Sequence, residues 1–382
     1  MTRVTGDWLT NPATQRVMTM LEDGGFQALA VGGCLRNALL GAPVADVDIS
    51  TNARPETVVA LAGKAGLKAV PTGIEHGTVT VVTQGQGFEV TTFRADVETD
   101  GRRAVVRFAD TAAEDARRRD FTMNALYADR HGTVIDPLGG LPDLLARRLR
   151  FIEDAETRIR EDYLRTLRFF RFNAWYGDPA QGMDPEALAA IAANLDGLDR
   201  LSRERVGAEI LKLLAAPDPV MAVSVMDQTG VLARVLPGAS PRALGPLVMT
   251  EPLLGLHPDP IRRLAATGCD DGAGLRLSKA DSRSLTLLKD LCGNSSDLAE
   301  IAYRHGADTA RDTAALRAAL FETPLSANTQ ARIAQGAAAV FPVTAADLMP
   351  GLQGQALGTR LKTLEDRWIA TGMCLDKDEL LR

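Results

Sequence analysis

The spacing of hydrophobic and polar positions along this chain changes character once, near residue 153. Before that point the pattern is mixed. Gln27 to Val31, Val47 to Thr51, Thr78 to Thr83 and Phe88 to Phe93 alternate or run apolar with β-branched residues, as strands do. Gly32-Gly33 separates the first of these from a short helix ending at Leu40, and Pro55 opens a helix to Ala65. Gly85-Gln86-Gly87 reads as a turn. The polar stretch from Asp96 to Asp110 reads as a loop and Glu114 to Tyr127 as a helix. Short strands are expected near Val134 and from Leu149 to Ile152. Beyond Glu153, Ala, Leu and Arg recur with helical spacing to the C-terminus. Breaks are expected at Gly177-Asp178-Pro179, Ala216 to Pro219, Pro237 to Pro241 and Gly293-Asn294-Ser295. The fold class is therefore α+β: a head on a mixed β-sheet over residues 1–152, then all-helical segments over 153–215, 216–292 and 293–382.

Composition narrows the setting. No apolar run is long enough to span a bilayer, and the N-terminal segment MTRVTGDWLTNPATQRV lacks the apolar core of a signal peptide, so a cytoplasmic location is expected. Cys34, Cys269, Cys292 and Cys374 are scattered and read as free thiols. His76, His131, His257 and His305 form neither HExxH nor a His-Asp doublet, which argues against a zinc hydrolase. A net charge of -6 and a pI near 5.4 argue mildly against nucleic acid as a partner. The bases cluster, however, at Arg117-Arg118-Arg119, at Arg147-Arg148-Arg150 and from Arg158 to Arg171, so a local basic surface could hold phosphate.

The candidate chemistry begins at D-V-D-I-S-T, Asp46 to Thr51. The period of a strand sends Asp46 and Asp48 to the same side. Two adjacent carboxylates repel unless a cation lies between them, and Mg²⁺ usually takes one or two carboxylates plus substrate phosphates. Upstream, Gly32-Gly33 lets backbone N–H groups approach phosphate at a helix start, with Arg36 adding charge. Glu89, in F-E-V-T-T-F-R, is expected to share a face with Thr91 and Phe93. It could complete the metal site or take the proton of an attacking hydroxyl. A plain turn, a helix cap or a solvated strand carboxylate would explain any one of these alone. Together they point to metal-assisted phosphoryl chemistry on a nucleotide.

Two further motifs follow. In R-R-D-F-T-M-N, Asp120 and Asn124 are expected to share a helix face, with Arg119 able to reach phosphate or base. In E-D-Y-L-R, a helix would place Asp162 beside Arg165, in one polar stripe with Arg158 and Arg168. Leu164, Leu167, Phe170 and Trp175 would form the packing surface. Asp accepts and Arg donates, so the pair matches a base edge offering an amino donor beside a ring-nitrogen acceptor. Cytosine and adenine fit; uracil and guanine present the reverse polarity. The alternative is an exposed helix salt bridge contributing only ~0.3–0.5 kcal/mol.

These motifs resemble the class II nucleotidyltransferases, the family of tRNA CCA-adding enzymes and bacterial poly(A) polymerases, and most of all its bacterial CCA-adding members. The likeness runs from about Gln27 to Leu214 through GGCLRNALLG, DVDIST, RRDFTMNAL, DPLGGLPDL, EDYLRTLRFFRF and LSRERVGAEILKLL, in the family's order. It implies a nucleotidyltransferase head followed by helical neck, body and tail, the tail touching tRNA. It implies that CTP and ATP donate C, C and A to the tRNA 3′ end, with release of pyrophosphate by two-metal-ion catalysis. Asp46 and Asp48 would hold Mg²⁺ and Glu89 would be the third catalytic carboxylate. Gly33, Arg36 and Arg119 would bind the nucleotide, Asp162 and Arg165 would read its base, and Arg168 and Arg171 would support base or phosphate. Asp136 and Gly140 would shape a hinge, and the loop from Asp96 to Asp110 would help the switch from C to A. No membrane and no obligate protein partner are implied. The family usually has Asp where this chain has Asn37. A poly(A) polymerase is the nearest alternative; a non-catalytic RNA-binding protein is the alternative from another class, and it predicts loss of carboxylates that are all present here.

Overall fold

The computed structural model describes residues 2–100, 103–269 and 273–382. Its strands are β1 (Leu29–Val31), β2 (Asp48–Thr51), β3 (Lys68–Gly73), β4 (Thr78–Thr83), β5 (Gln86–Thr92), β6 (Arg94–Asp100), β7 (Arg103–Phe108), β8 (Tyr127–Ala128) and β9 (Val134–Ile135). Seven form one sheet in the order β3-β4-β5-β2-β1-β8-β9, and β6 pairs with β7. β2 and β5 run parallel, while the other neighbours in the large sheet are antiparallel. The alternation read from the sequence is visible in β4 and β5. Val79, Val81, Phe88 and Val90 are wholly buried, whereas Glu89 projects from the opposite face and is exposed. β1 is central and buried along its length, as a strand covered on both faces must be.

The helices that bear on the site are α1 (Gly33–Leu39), α2 (Ala112–Arg117), α3 (Leu141–Leu145), α4 (Ala155–Glu161), α5 (Leu164–Tyr176) and α6 (Arg203–Leu214). Among the described residues every regular element after Glu153 is helical, and helices end at all four expected breaks. No helix among them is long and apolar enough to cross a membrane.

Three local expectations are corrected, and one strand was not foreseen. The stretch expected as a loop is the β6–β7 hairpin, apart from residues 101–102, which lie outside the described residues. The second strand, Arg-Ala-Val-Val-Arg-Phe, carries β-branched and apolar residues that the reading of a polar loop passed over among their charged neighbours. β3 was hidden by Pro71; it is an edge strand with a register shift between Val70 and Gly73, the setting in which proline is tolerated. The helix expected from Glu114 to Tyr127 stops at Arg117. Phe121 then bridges to Phe151, Thr122–Asn124 form a 3-10 turn, and β8 follows. Leu149 to Ile152 makes that single bridge and is not a strand. The bridge nucleates an aromatic cluster, with Phe121 4.9 Å from Phe151 and 5.3 Å from Phe172 between ring centroids. Leu164, Leu167 and Phe170 are buried as expected, but Trp175 is 41% exposed.

The chain divides into two compact units, Met1–Glu209 with Gln228–Val235, and Ile210–Asp227 with Leu236–Arg382. The first contains the sheet. The second is built around buried charge: Arg262, Arg263 and Glu251 are each at most 3% exposed. Glu251 Oε1 accepts from Arg262 Nη2 at 2.9 Å and Oε2 from Arg263 Nη2 at 2.7 Å, while Asp312 takes the other face of Arg262. Removing one partner of such a pair strands an uncompensated charge. Glu251→Ala is therefore expected to destabilise the second unit by about 3–5 kcal/mol, read as a lower urea midpoint in the fluorescence of Trp368, which lies in that unit's second core.

Candidate active site

The carboxylates come together through strand pairing. Val31 lies opposite Asp48 across β1 and β2, which puts Asp48 at the strand end beside the glycine turn. Ile49 lies beside Val90 in the parallel β2–β5 pair, so the preceding residues, Asp48 and Glu89, are neighbours at the same edge. Asp46 precedes the strand, but the alternation extends back to it: Val47 is 6% exposed between two exposed aspartates. Phe93, expected on the face of Glu89, is instead buried, because the chain turns after β5 and Phe93 N donates to Thr51 O at 2.7 Å. Partial desolvation pushes the Asp48 carboxyl above its ordinary range although it keeps contact with solvent; Glu89 and Asp46 push the same way and Arg119 opposes them. A hard cation would relieve this repulsion. Among the described residues no group of three or more acidic, histidine or cysteine side chains is placed to hold a metal ion, so any ion here would rest on fewer protein ligands. That suits Mg²⁺, which keeps waters and draws on substrate phosphates beside one or two carboxylates.

The glycine turn faces the same edge. Gly32 has φ +71°, where a side chain would be strained, and a Cβ there would lie 3.6 Å from Arg119 Nη1. The first backbone N–H groups of α1 have no partner within the helix. Arg119 is clamped from behind: Nη2 donates to Asp115 Oδ2 at 2.9 Å and Nε to Tyr127 Oη at 3.1 Å. Asp115 is 1% exposed and also takes the Tyr127 hydroxyl at 2.8 Å and Arg118 Nε at 2.9 Å. Burial alone would raise the Asp115 carboxyl, but Arg119 and Arg118 overcome it and hold it at about 2. Asp115 and Tyr127 were not singled out from sequence, although the spacing from Asp115 to Arg119 is that of a helical ion pair.

Arg36 turns inward, contrary to the expectation of an open phosphate contact, and is 8% exposed. Nη1 donates to Asn124 Oδ1 at 2.6 Å and Nη2 to Tyr176 Oη at 2.9 Å, and the guanidinium lies 4.1 Å from the Tyr176 ring centroid. Arg36, Arg168 and Arg171 surround the Phe172 ring at 5.0, 5.3 and 4.4 Å. Arg168 Nε pairs with Asp120 at 2.7 Å and Arg171 Nε with Glu209 at 2.7 Å, but no carboxylate among the described residues pairs with Arg36. Three guanidiniums thus share two carboxylates, and desolvation lowers the Arg36 pKa. This cluster would gain from an anion. Asn124 does meet Asp120, at 2.9 Å, through the turn rather than a helix face.

The E-D-Y-L-R motif is not one helix. α4 ends at Glu161, Asp162 is extended at φ -151° and ψ 104°, and α5 starts at Leu164. Tyr163 lies flat against Gly197, where a Cβ would sit 1.9 Å from its ring. Asp162 and Arg165 therefore do not pair with each other. Asp162 accepts from Arg205 Nη2 at 2.6 Å and from Leu164 N at 3.1 Å. Arg165 donates to Glu161, to Arg158 O at 3.0 Å and to Arg118 O at 2.9 Å. Its Nε–H and one Nη2–H have no acceptor among the described residues. Arg205 and Glu209, both from α6, support this end of the site; they were not singled out, although both lie in the LSRERVGAEILKLL motif and share one face of its helix.

The basic clusters are mostly neutralised. Arg148 and Arg150 both pair with buried Asp143, Arg117 with Glu153, Arg160 with Glu156, and Arg158 with Glu161. Asp136 accepts from Gly140 N at 2.8 Å and Leu141 N at 2.9 Å, capping α3, and a Cβ on Gly140 would meet Thr122 O at 2.2 Å.

With this geometry in hand, comparison with known proteins is specific. Residues 28–150 match the poly A polymerase head domain, and residues 182–242 match the probable RNA and SrmB-binding site of polymerase A. The chain is 41% identical over 224 residues to the CCA-adding enzyme of Geobacillus thermodenitrificans, covering 58% of this chain and 54% of that protein, so the match spans about half the relative's length. It is 32% identical over 369 residues to the mitochondrial CCA tRNA nucleotidyltransferase 1 of Mus musculus, covering 92% of this chain and 84% of that one. Its fold matches the crystal structure of the Bacillus stearothermophilus CCA-adding enzyme in complex with CTP at a TM-score of 0.75 and 29% identity, over 95% and 93% of the two chains.

The clamp on Arg119 has a pH signature. Because the Asp115 pKa is depressed in the fold, its contribution is present above about pH 4 and is lost as pH falls through about 2. That contribution is on the order of 2 kcal/mol. Asp115→Asn is expected to lower stability at pH 7 and to flatten the acid limb between those values, measured by urea unfolding as a function of pH.

Proposed function

We propose that this chain, which belongs to the family of tRNA CCA nucleotidyltransferases and poly(A) polymerases, transfers CMP and AMP from CTP and ATP to the 3′ hydroxyl of tRNA and releases pyrophosphate. One observation carries the reading most: Asp46, Asp48 and Glu89 share the sheet edge that the glycine turn and Arg119 also face. The names of the relatives support the tRNA substrate, and the CTP complex of the structural neighbour supports the nucleotide.

The roles follow from chemistry. Asp46 and Asp48 would hold the magnesium ions, which when bound activate the 3′ hydroxyl and shield the charge of the leaving pyrophosphate. Glu89 would complete the acidic edge and accept the hydroxyl proton. The Gly33 backbone and Arg119 would orient the triphosphate, with Arg36 adding positive potential from beneath the turn and Arg168 and Arg171 supporting base or phosphate. Asp162 would accept from the amino group of cytosine or adenine, and the unused Nε–Nη2 edge of Arg165 would donate to the ring nitrogen and its neighbour. Arg205 would keep the Asp162 carboxylate aimed. Poly(A) addition remains the second reading because the matched head domain is described by that activity.

Three outcomes are expected. tRNA lacking its CCA end should take up C, C and A and stop, where a poly(A) polymerase would ignore CTP and extend an A tract. Asp46→Ala should abolish incorporation while leaving tRNA binding intact in a gel-shift assay. Asp162→Ala should lower the preference for CTP over UTP by about 10- to 100-fold, measured as the ratio of kcat/KM values.

A further inference from the structure

Between Asp162 and Arg165 the chain crosses from α4 to α5, and Tyr163 stands at the crossing. The first turn of α5 hangs on this point. Asp162 O accepts from Arg165 N at 2.9 Å, and Tyr163 O accepts from Thr166 N at 3.1 Å. A shift of the Tyr163 backbone therefore carries Asp162 and Arg165 with it. The Tyr163 ring rests on the 3-10 turn Leu195–Arg200, in which Gly197 is buried and Arg200 lies 5.8 Å from the ring centroid. A Cβ on Gly197 would lie 1.9 Å from ring atom Cε1, 2.0 Å from Cδ1 and 2.3 Å from Cζ, far inside van der Waals contact. Overfilling of this kind is relieved by displaced side chains and backbone. The turn has little room to retreat, because Leu198 is buried beside Gly197 and Arg160 of α4 donates to Asn194 Oδ1 at 3.0 Å just before it. Half-buried Tyr163 is the side with room to move.

We infer that Gly197 is a specificity-positioning residue: the space left by its missing side chain seats the Tyr163 ring and so sets the relative aim of Asp162 and Arg165. This rests on the base-reading role given to those two residues above. The requirement is a fit between two positions. A small residue at 163 would make no demand on position 197, so the glycine matters through the ring that fills its place. Gly197 itself touches neither Asp162 nor Arg165 through a side chain, and its effect on base choice passes through Tyr163 alone.

The test is a double-mutant cycle in the full chain, Gly197→Ala and Tyr163→Ala singly and together, with kcat/KM measured for CTP and for UTP and urea midpoints taken alongside. Gly197→Ala should lower the CTP-to-UTP preference by about tenfold when Tyr163 is present and leave it unchanged in the Tyr163→Ala background. A preference that survives Gly197→Ala overturns the inference, even if the urea midpoint falls, since position 197 would then serve packing only. An equal loss in both backgrounds also overturns it, because the methyl group would then act on something other than the ring. Should Gly197→Ala fail to fold, Tyr163→Trp overfills the same space from the other side, and an unchanged preference there overturns the inference. An unchanged preference in Asp162→Ala removes the base-reading role itself, and this inference with it.

Discussion

Repulsion between carboxylates that the sheet will not let separate is the constraint on which the active edge depends. β2 and β5 are adjacent and parallel, and their register makes Asp48 and Glu89 neighbours. Backbone pairing on both sides of β2 prevents the strand from relaxing away. What remains is neutralisation. Arg119 supplies part of it, and Arg119 can stand there only because Asp115 and Tyr127 hold it. A cation at that edge would supply the remainder, the role proposed above for magnesium.

The arginines follow a complementary logic. On an acidic chain, a row of bases would be expected to repel itself and wait for RNA. Instead most members of the row are paired at close range, and the positive excess is concentrated around Phe172, where Arg36 lacks a carboxylate. Ion pairing of this kind positions guanidiniums more than it stabilises the fold. It also reconciles the pI near 5.4 with a nucleotide site: the field is local, and little of it is spread over the surface.

Much of the head was legible because a two-residue period is hard to mistake. It placed β4 and β5, sent Glu89 outward and aligned Asp46 with Asp48. The period failed wherever pairing does not require an apolar face. The Pro71-bearing edge strand β3 is held by backbone bonds that leave no hydrophobic signature, and in the β6–β7 hairpin the Val105-Val106 pair was passed over among charged neighbours. It failed differently after Arg117, where the helix that composition would have continued stops and, beyond it, the Asp120 carboxylate takes the Phe121 N–H. The pairing of Arg205 and Glu209 with side chains roughly forty residues away was out of reach of local pattern, although both lie in a motif that the sequence displays.

The correction at E-D-Y-L-R strengthens the chemistry it was meant to serve. On a continuous helix, Asp162 and Arg165 would lie one turn apart and satisfy each other. A base would then have to break their ion pair before it could be read. The break at Asp162 and Tyr163, which the close approach to Gly197 permits, assigns each residue a different partner. Arg205 holds the acceptor and Glu161 holds the donor. Their remaining lone pairs and N–H groups keep opposite polarity without cancelling. A base of matching polarity could then be accepted at little cost, while one of reversed polarity would leave groups on both sides unpaired. Discrimination would come from a helix interruption that the hydrophobic pattern smoothed over.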